Sequence, residues 1–235
     1  LEAIAFFVQG NTDAEVQELY KYALQRRSLQ VQKATERLIK IIKTGRTSRL
    51  SESEKIDCDT AYQTIYINIC GLFDVFSVLF DFHKNGNGIR QNISIDLTKE
   101  KFRRELDLNK LNLLVADYED WIKYLKSDIR HKIVHQIPPY IPPCEMTTEE
   151  LREHDRLEEA KWQALIDKDI ETAEHHELAQ SKLGRFCPYV AFTELGNKNG
   201  RMDICTILND VIKAQKFVSE CSVILSEVRL AKQSV

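Results

Sequence analysis

Glycine and proline are scarce in this chain, 8 and 5 among 235 residues, which argues against long irregular stretches and favours helices. Four of the five prolines sit together in one short run, residues 138 to 143. The six cysteines, at 58, 70, 144, 187, 205 and 221, form no C-x-x-C pair and no dense framework. That spacing excludes a disulfide-stapled small domain and reads as reduced thiols in a cytoplasmic protein. Nor does any of them have a histidine nearby in sequence, so cysteine catalysis has no local support. The opening LEAIAFFVQG lacks a basic n-region and a small-residue cleavage site, so no signal peptide is expected. An initiator Met is also lacking, which leaves room for residues upstream.

A long uncharged run is missing as well. Residues 65 to 82, IYINICGLFDVFSVLFDF, come nearest to a membrane span in length. Asp74 stands at their centre and Asp81 near their end, and a carboxylate at mid-bilayer is costly. A buried core helix is expected there, with no membrane association.

What is present is helical periodicity. Val16, Tyr20, Ala23, Val31, Ala34, Leu38 and Ile41 form one stripe over 13 to 44, interrupted by Arg27 and ended by Gly45. Ser51-x-x-Glu54 is a capping-box pattern that opens a helix to about 82, and KNGNG at 84 to 88 is read as its terminating turn. A short helical piece is expected near 98 to 107. A long helix from 109 to 136 follows, with Leu111, Val115, Tyr118, Ile122, Leu125, Ile129 and Ile133 on one face. Pro138 stops it, and PPYIPP should be extended.

Thr147-x-x-Glu150 opens a charged helical stretch to about 183, with His175 and His176 facing solvent. Turn signals flanking YVAF are compatible with a small hairpin or an extended loop within 184 to 202. A final helix spans 203 to 230. The expected fold is therefore all-α: one domain over 1 to 235, an antiparallel bundle of four to five long helices, with 138 to 202 as a charged insertion or lid.

The net charge of −3 gives no general affinity for polyanions, but charge is uneven. Residues 20 to 49 carry nine Lys or Arg against Glu36 alone, and residues 145 to 177 carry twelve acids against four basic residues. Arg26, Lys33, Arg37 and Lys40 fall on one flank of the first helix, where they could follow a phosphate backbone or simply form a solvated face that pairs with the acidic stretch.

The densest cluster of functional side chains is RHKIVH, residues 130 to 135. Chance gives roughly 0.4 Arg-x4-His pairs in a chain of this composition, so the setting matters more than the motif. Arg130 and His135 should lie about 140° apart on the helix, flanking Ser127, His131 and Val134, with Ile129 and Ile133 turned into the core. Asp128, His131 and His135, at i, i+3 and i+7, offer an alternative metal-binding face.

An arginine, a polar residue and then a histidine at this spacing, late in an all-helical bundle, resembles the HEPN superfamily (higher eukaryotes and prokaryotes nucleotide-binding). Arg130, His131 and His135 match that family's arginine, polar position and histidine. The resemblance implies a metal-independent endoribonuclease without cofactors, acting as a homodimer on RNA and related to toxins or defence, with a regulatory protein as a further partner. It implies that His135 is the general acid or base, that Arg130 stabilises charge on the phosphate, and that His131 orients it. Asp74 and Ser127 are the supporting candidates, Asp74 as a buried carboxylate needing a partner such as Arg130 or a protonated histidine. The family also contains inactive members, so a helical dimer that only binds nucleotides, RNA or protein stands as the alternative.

Overall fold

The structure, a computed structural model, describes residues 14–85, 95–194 and 198–233. Among them are seven helical runs and one two-stranded hairpin, so the fold is all-α. Helix α1 comprises Ala14–Glu18, a π-helical stretch Leu19–Gln25 and Arg26–Ile42. Helix α2 is Glu52–Asn85, and α3 is Glu100–Leu106. Helix α4 joins Asn109–Tyr124, a second π-helical stretch Leu125–Arg130, and His131–His135. Then come α5 (Thr148–Ile166), α6 (Ile170–Gln180), β1 (Tyr189–Glu194), β2 (Lys198–Asp203) and α7 (Ile204–Gln233).

The described chain divides into two compact units, with 37 to 60 and 139 to 204 forming the second and the remainder the first. Apart from Pro138, the segment expected as an insertion, 138 to 202, thus shares a unit with the end of α1 and the start of α2.

In the first unit, α2 is the central element, as its nearly continuous apolar sequence requires. By length and composition it could cross a membrane, yet 78% of its most apolar window is buried inside the protein. Phe73 meets Phe217 of α7 edge-on with centroids 5.3 Å apart, and Trp121 of α4 at 5.6 Å. Each such ring, once buried, contributes about 2–3 kcal/mol. The buried Asp210 of α7 ties the same three helices together: it accepts Tyr66 Oη at 2.8 Å and Trp121 Nε1 at 2.7 Å. Burial first, and the Asp210 carboxylate second, push the Tyr66 phenol far up, so it remains a donor. Among the described residues, only the Tyr62 hydroxyl is buried without a hydrogen-bond partner.

Arg27, the apparent break in the α1 stripe, does face inward. Its guanidinium lies across Gly71 of α2 and donates to Asn68 Oδ1 at 3.3 Å. A methyl group at position 71 would overlap it, so the glycine provides the space that the arginine fills.

In the second unit, the capping box at the start of α2 forms as expected: Ser51 N donates to Glu54 at 2.9 Å and Glu54 N to Ser51 Oγ at 3.3 Å. Arg46 grips Glu54 with two bonds of 2.7 Å and also donates to the carbonyls of Ile41, Ser48 and Arg49. Gly45, at φ +80°, ends the preceding turn. Thr147 and Glu150 cap α5 reciprocally, and Asp169 caps α6 through Thr172. The hairpin β1–β2 is antiparallel, pairing Tyr189 with Asp203 and Phe192 with Gly200. The extended proline run adds to it, since Tyr140 and Ala191 exchange backbone bonds of 3.0 and 2.8 Å.

One sequence reading falls on other ground. Helix α2 continues through Lys84 and Asn85 of KNGNG, read as its terminating turn, and the rest of that run lies outside the described residues.

Candidate functional site

Helix α4 carries the motif, and its core face is continuous: Leu111, Val115, Tyr118, Ile122, Leu125, Ile129 and Ile133 are all buried. The steps from 125 to 129 to 133 are both four residues, more than an α-turn holds, and the π-helical stretch Leu125–Arg130 accommodates the first of them. Such wide turns are rare, and they recur at functional sites. Beside this one, the buried Cys70 thiol donates to the Leu125 carbonyl at 3.6 Å. Burial pushes that thiol up to about 12, which makes it a structural donor and a poor nucleophile.

The wide turn ends at Arg130, whose guanidinium donates to Asp74 Oδ2 at 3.2 Å. Of the two kinds of partner expected for Asp74, Arg130 or a protonated histidine, Arg130 is present. The environment differs, however: the Asp74 side chain is 46% exposed and Arg130 43%, so the pair lies at the surface of α2 and not in its core. Lys126, one turn earlier, bridges Asp74 at 2.9 Å and Asp96 at 3.0 Å with its side chain only 17% exposed. Burial alone would favour neutral Lys126, but its two carboxylates outweigh burial and raise its proton affinity. Asp96 shows the converse: burial would raise it, while Lys126 and the Thr98 hydrogen bonds hold it below the usual carboxylate range.

Asn68, Gly71 and Asp74 recur every third residue along one side of α2. Arg27 from α1 and Arg130 from α4 thus converge on the same strip. Neither Arg27 nor Lys126 was prominent in the sequence. The available signals were an arginine inside an apolar stripe and a lysine four residues before another basic group.

His131 and His135 are exposed, with ring centroids 5.1 Å apart, and Val134 between them is exposed too. His135 is the last helical residue, because Gln136 is extended ahead of Ile137 and Pro138. Ser127 Oγ has two acceptors for its single proton, the Lys123 carbonyl at 2.6 Å and Asp128 Oδ2 at 2.9 Å, so that proton serves its own helix. Among the described residues no group of three His, Cys, Asp or Glu is arranged to hold a metal ion, Asp128, His131 and His135 included.

The basic flank of α1 divides between the units, Arg26 and Lys33 in the first, Arg37 and Lys40 in the second. Lys33 pairs with Glu36 at 2.8 Å and Arg37 with Asp57 at 2.5 Å, while Arg26 and Lys40 are exposed. A groove of about 350 Å³ in the first unit is lined by Ser28 and Gln32 of α1, Leu72 of α2, and Gln215 and Ser219 of α7. It contains none of the motif residues.

Compared with known proteins, the chain matches no family model, no curated protein and no solved structure.

Proposed function

We propose that the chain is a HEPN-like, metal-independent endoribonuclease that acts as a homodimer in a compartment keeping its thiols reduced. The carrying observation is Arg130: its guanidinium is half-exposed, aimed by Asp74, backed by Lys126, and followed at once by two exposed imidazoles. A fixed guanidinium suits the charge that develops on a phosphoryl group. Imidazole is the side chain fitted to exchange protons near neutrality.

In the reaction, the ribose 2′-oxygen attacks the adjacent phosphorus and the bond to the 5′-oxygen breaks, leaving a 2′,3′-cyclic phosphate. His135 takes the 2′-hydroxyl proton or supplies one to the departing 5′-oxygen, and the copy of the motif in the second subunit supplies the complementary group. Arg130 holds the phosphoryl oxygens, exchanging part of its bond to Asp74 for the substrate. His131 orients the phosphate beside it. All six cysteines are free, in keeping with a cytoplasmic setting.

The test is cleavage of mixed RNAs by the full chain in the presence of chelator. Arg130→Ala and His135→Ala should each abolish it while far-ultraviolet circular dichroism and the unfolding midpoint stay unchanged. Activity that vanishes with chelator, or persists in both variants, would overturn the assignment.

A further inference from the structure

The helical hairpin α5–α6 holds its two helices together through a narrow seam in which Leu157, Ala164 and Ala173 are buried. Its turn is firmly built. Asp169 N donates to the Ala164 carbonyl at 2.9 Å, Lys168 takes φ +63°, and Asp167 accepts Gln163 at 3.1 Å. The tip is therefore not a fraying end.

Yet the tip displays its largest apolar side chains to solvent. Trp162, Leu165, Ile166 and Ile170 are 58%, 39%, 71% and 56% exposed. On α5, Trp162, Leu165 and Ile166 stand at i, i+3 and i+4, within about 100° of arc and turned away from Leu157 and Ala164. Scattered apolar residues are ordinary on a surface, but four large ones within nine positions form a patch. The Trp162 indole is also fixed, since Nε1 donates to Glu158 at 2.9 Å. A large, oriented aromatic side chain is the typical anchor of a protein interface.

Carboxylates are dense in the same stretch of chain. Between 155 and 174 there are seven against three basic residues. Lys161 and Arg156 are already paired, with Glu158 and Glu153 respectively. Among the described residues Glu159, Glu171 and Glu174 are in no ion pair or hydrogen bond. A local excess of negative charge repels acidic surfaces and nucleic acid and attracts cationic ones. The apolar ridge at i, i+3 and i+4 matches the grooves of a third helix laid against α5.

We infer that the α5–α6 tip is a docking surface for a basic amphipathic helix of a partner protein. This goes beyond the nuclease reading and stands on different residues.

The test titrates the full chain with a synthetic Leu/Lys amphipathic helical peptide, with a Leu/Glu peptide of the same pattern as control, following tryptophan emission and calorimetric heat. The Lys peptide should bind, shift the emission to the blue and weaken as salt rises. Ile166→Asp, an exposed site where folding is not at stake, should weaken it about tenfold or more. The double reversal Glu159→Lys with Glu171→Lys should weaken it while leaving the patch intact. Chelator-resistant RNA cleavage should be the same in all these variants, so failure here leaves the nuclease assignment standing. Equal binding of both peptides, or none, would overturn the inference. So would self-association abolished by Ile166→Asp, which would make a second copy the occupant, or Ile166-dependent binding to phosphatidylcholine vesicles without peptide binding, which would make it lipid.

Discussion

Arg130 on α4 and Asp74 on α2, 56 residues apart in sequence, share a hydrogen-bonded ion pair of 3.2 Å at the surface of the first unit. If Arg130 holds phosphate as proposed, Asp74 sets a carboxylate beside it. Asp74→Asn should therefore separate binding from chemistry. RNA affinity should rise as the negative charge goes, while kcat falls about tenfold because the guanidinium is less firmly aimed. Stability should fall by about 1–2 kcal/mol, more than the exposed Arg130 pair alone would cost, because Asp74 also partners the largely buried Lys126. Single-turnover cleavage beside filter binding would measure both. Affinity and rate falling together would contradict it.

The buried Asp210 should be among the costliest polar positions to change. Asp210→Ala leaves the Tyr66 hydroxyl and the Trp121 indole N–H without their acceptor, a loss of about 2–4 kcal/mol in urea unfolding. Tyr66→Phe removes one of the two donors and should cost about 1–2 kcal/mol. A double-mutant cycle between 66 and 210 should show coupling, and strict additivity would count against a shared network.

Tyr62→Phe should behave in the opposite way. Its hydroxyl is buried without a partner, so deleting the oxygen removes a desolvation penalty. The variant is expected to be neutral or stabilised by about 1 kcal/mol, read from the chemical unfolding midpoint. A clear loss of stability would mean that the hydroxyl has an acceptor after all.

Glu54 gives a pH dependence. The Arg46 fork, then the Ser51 backbone bond, lower its carboxyl from 4.5 to about 2. A carboxylate lowered on folding stabilises fully above its unfolded value, and that contribution is lost as pH falls through the folded one. Glu54→Gln should thus be less stable than the parent at neutral pH by about 1–2 kcal/mol, the full linkage value being reduced by solvent screening. The gap should close between about 4.5 and about 2. A gap independent of pH would assign the loss to geometry and not to charge.

Much of this architecture could be read from residue spacing. The all-α class, both capping boxes, the buried character of α2 and the core face of α4 follow from periodicity and from short-range hydrogen-bond chemistry. The Asp74 to Arg130 contact was legible for a different reason, that a carboxylate inside an apolar helix must be answered by something. Its exposure was not legible, because a helix wheel does not reveal where two neighbouring helices leave a strip uncovered. Lys126 was missed, and Arg27 noted only as a break in its stripe, on the same ground, since both are defined by what lies across from them. The π-helical stretches left only a faint trace, consecutive steps of four such as 125, 129 and 133, which a regular α pattern absorbs without remark.

The wide turn of α4 immediately before Arg130 acts as a phase setter. Removing one codon from the exposed positions 127 or 128 would restore ordinary winding with the residues on either side keeping their faces, whereas regular winding with every residue kept would turn everything downstream by about 100°. With the aromatic packing of Trp121 and Tyr118 holding one end, Arg130, His131 and His135 would be carried round together, off the Asp74 strip. The winding around one surplus residue, which contributes no functional group of its own, thereby decides which way the whole basic cluster points.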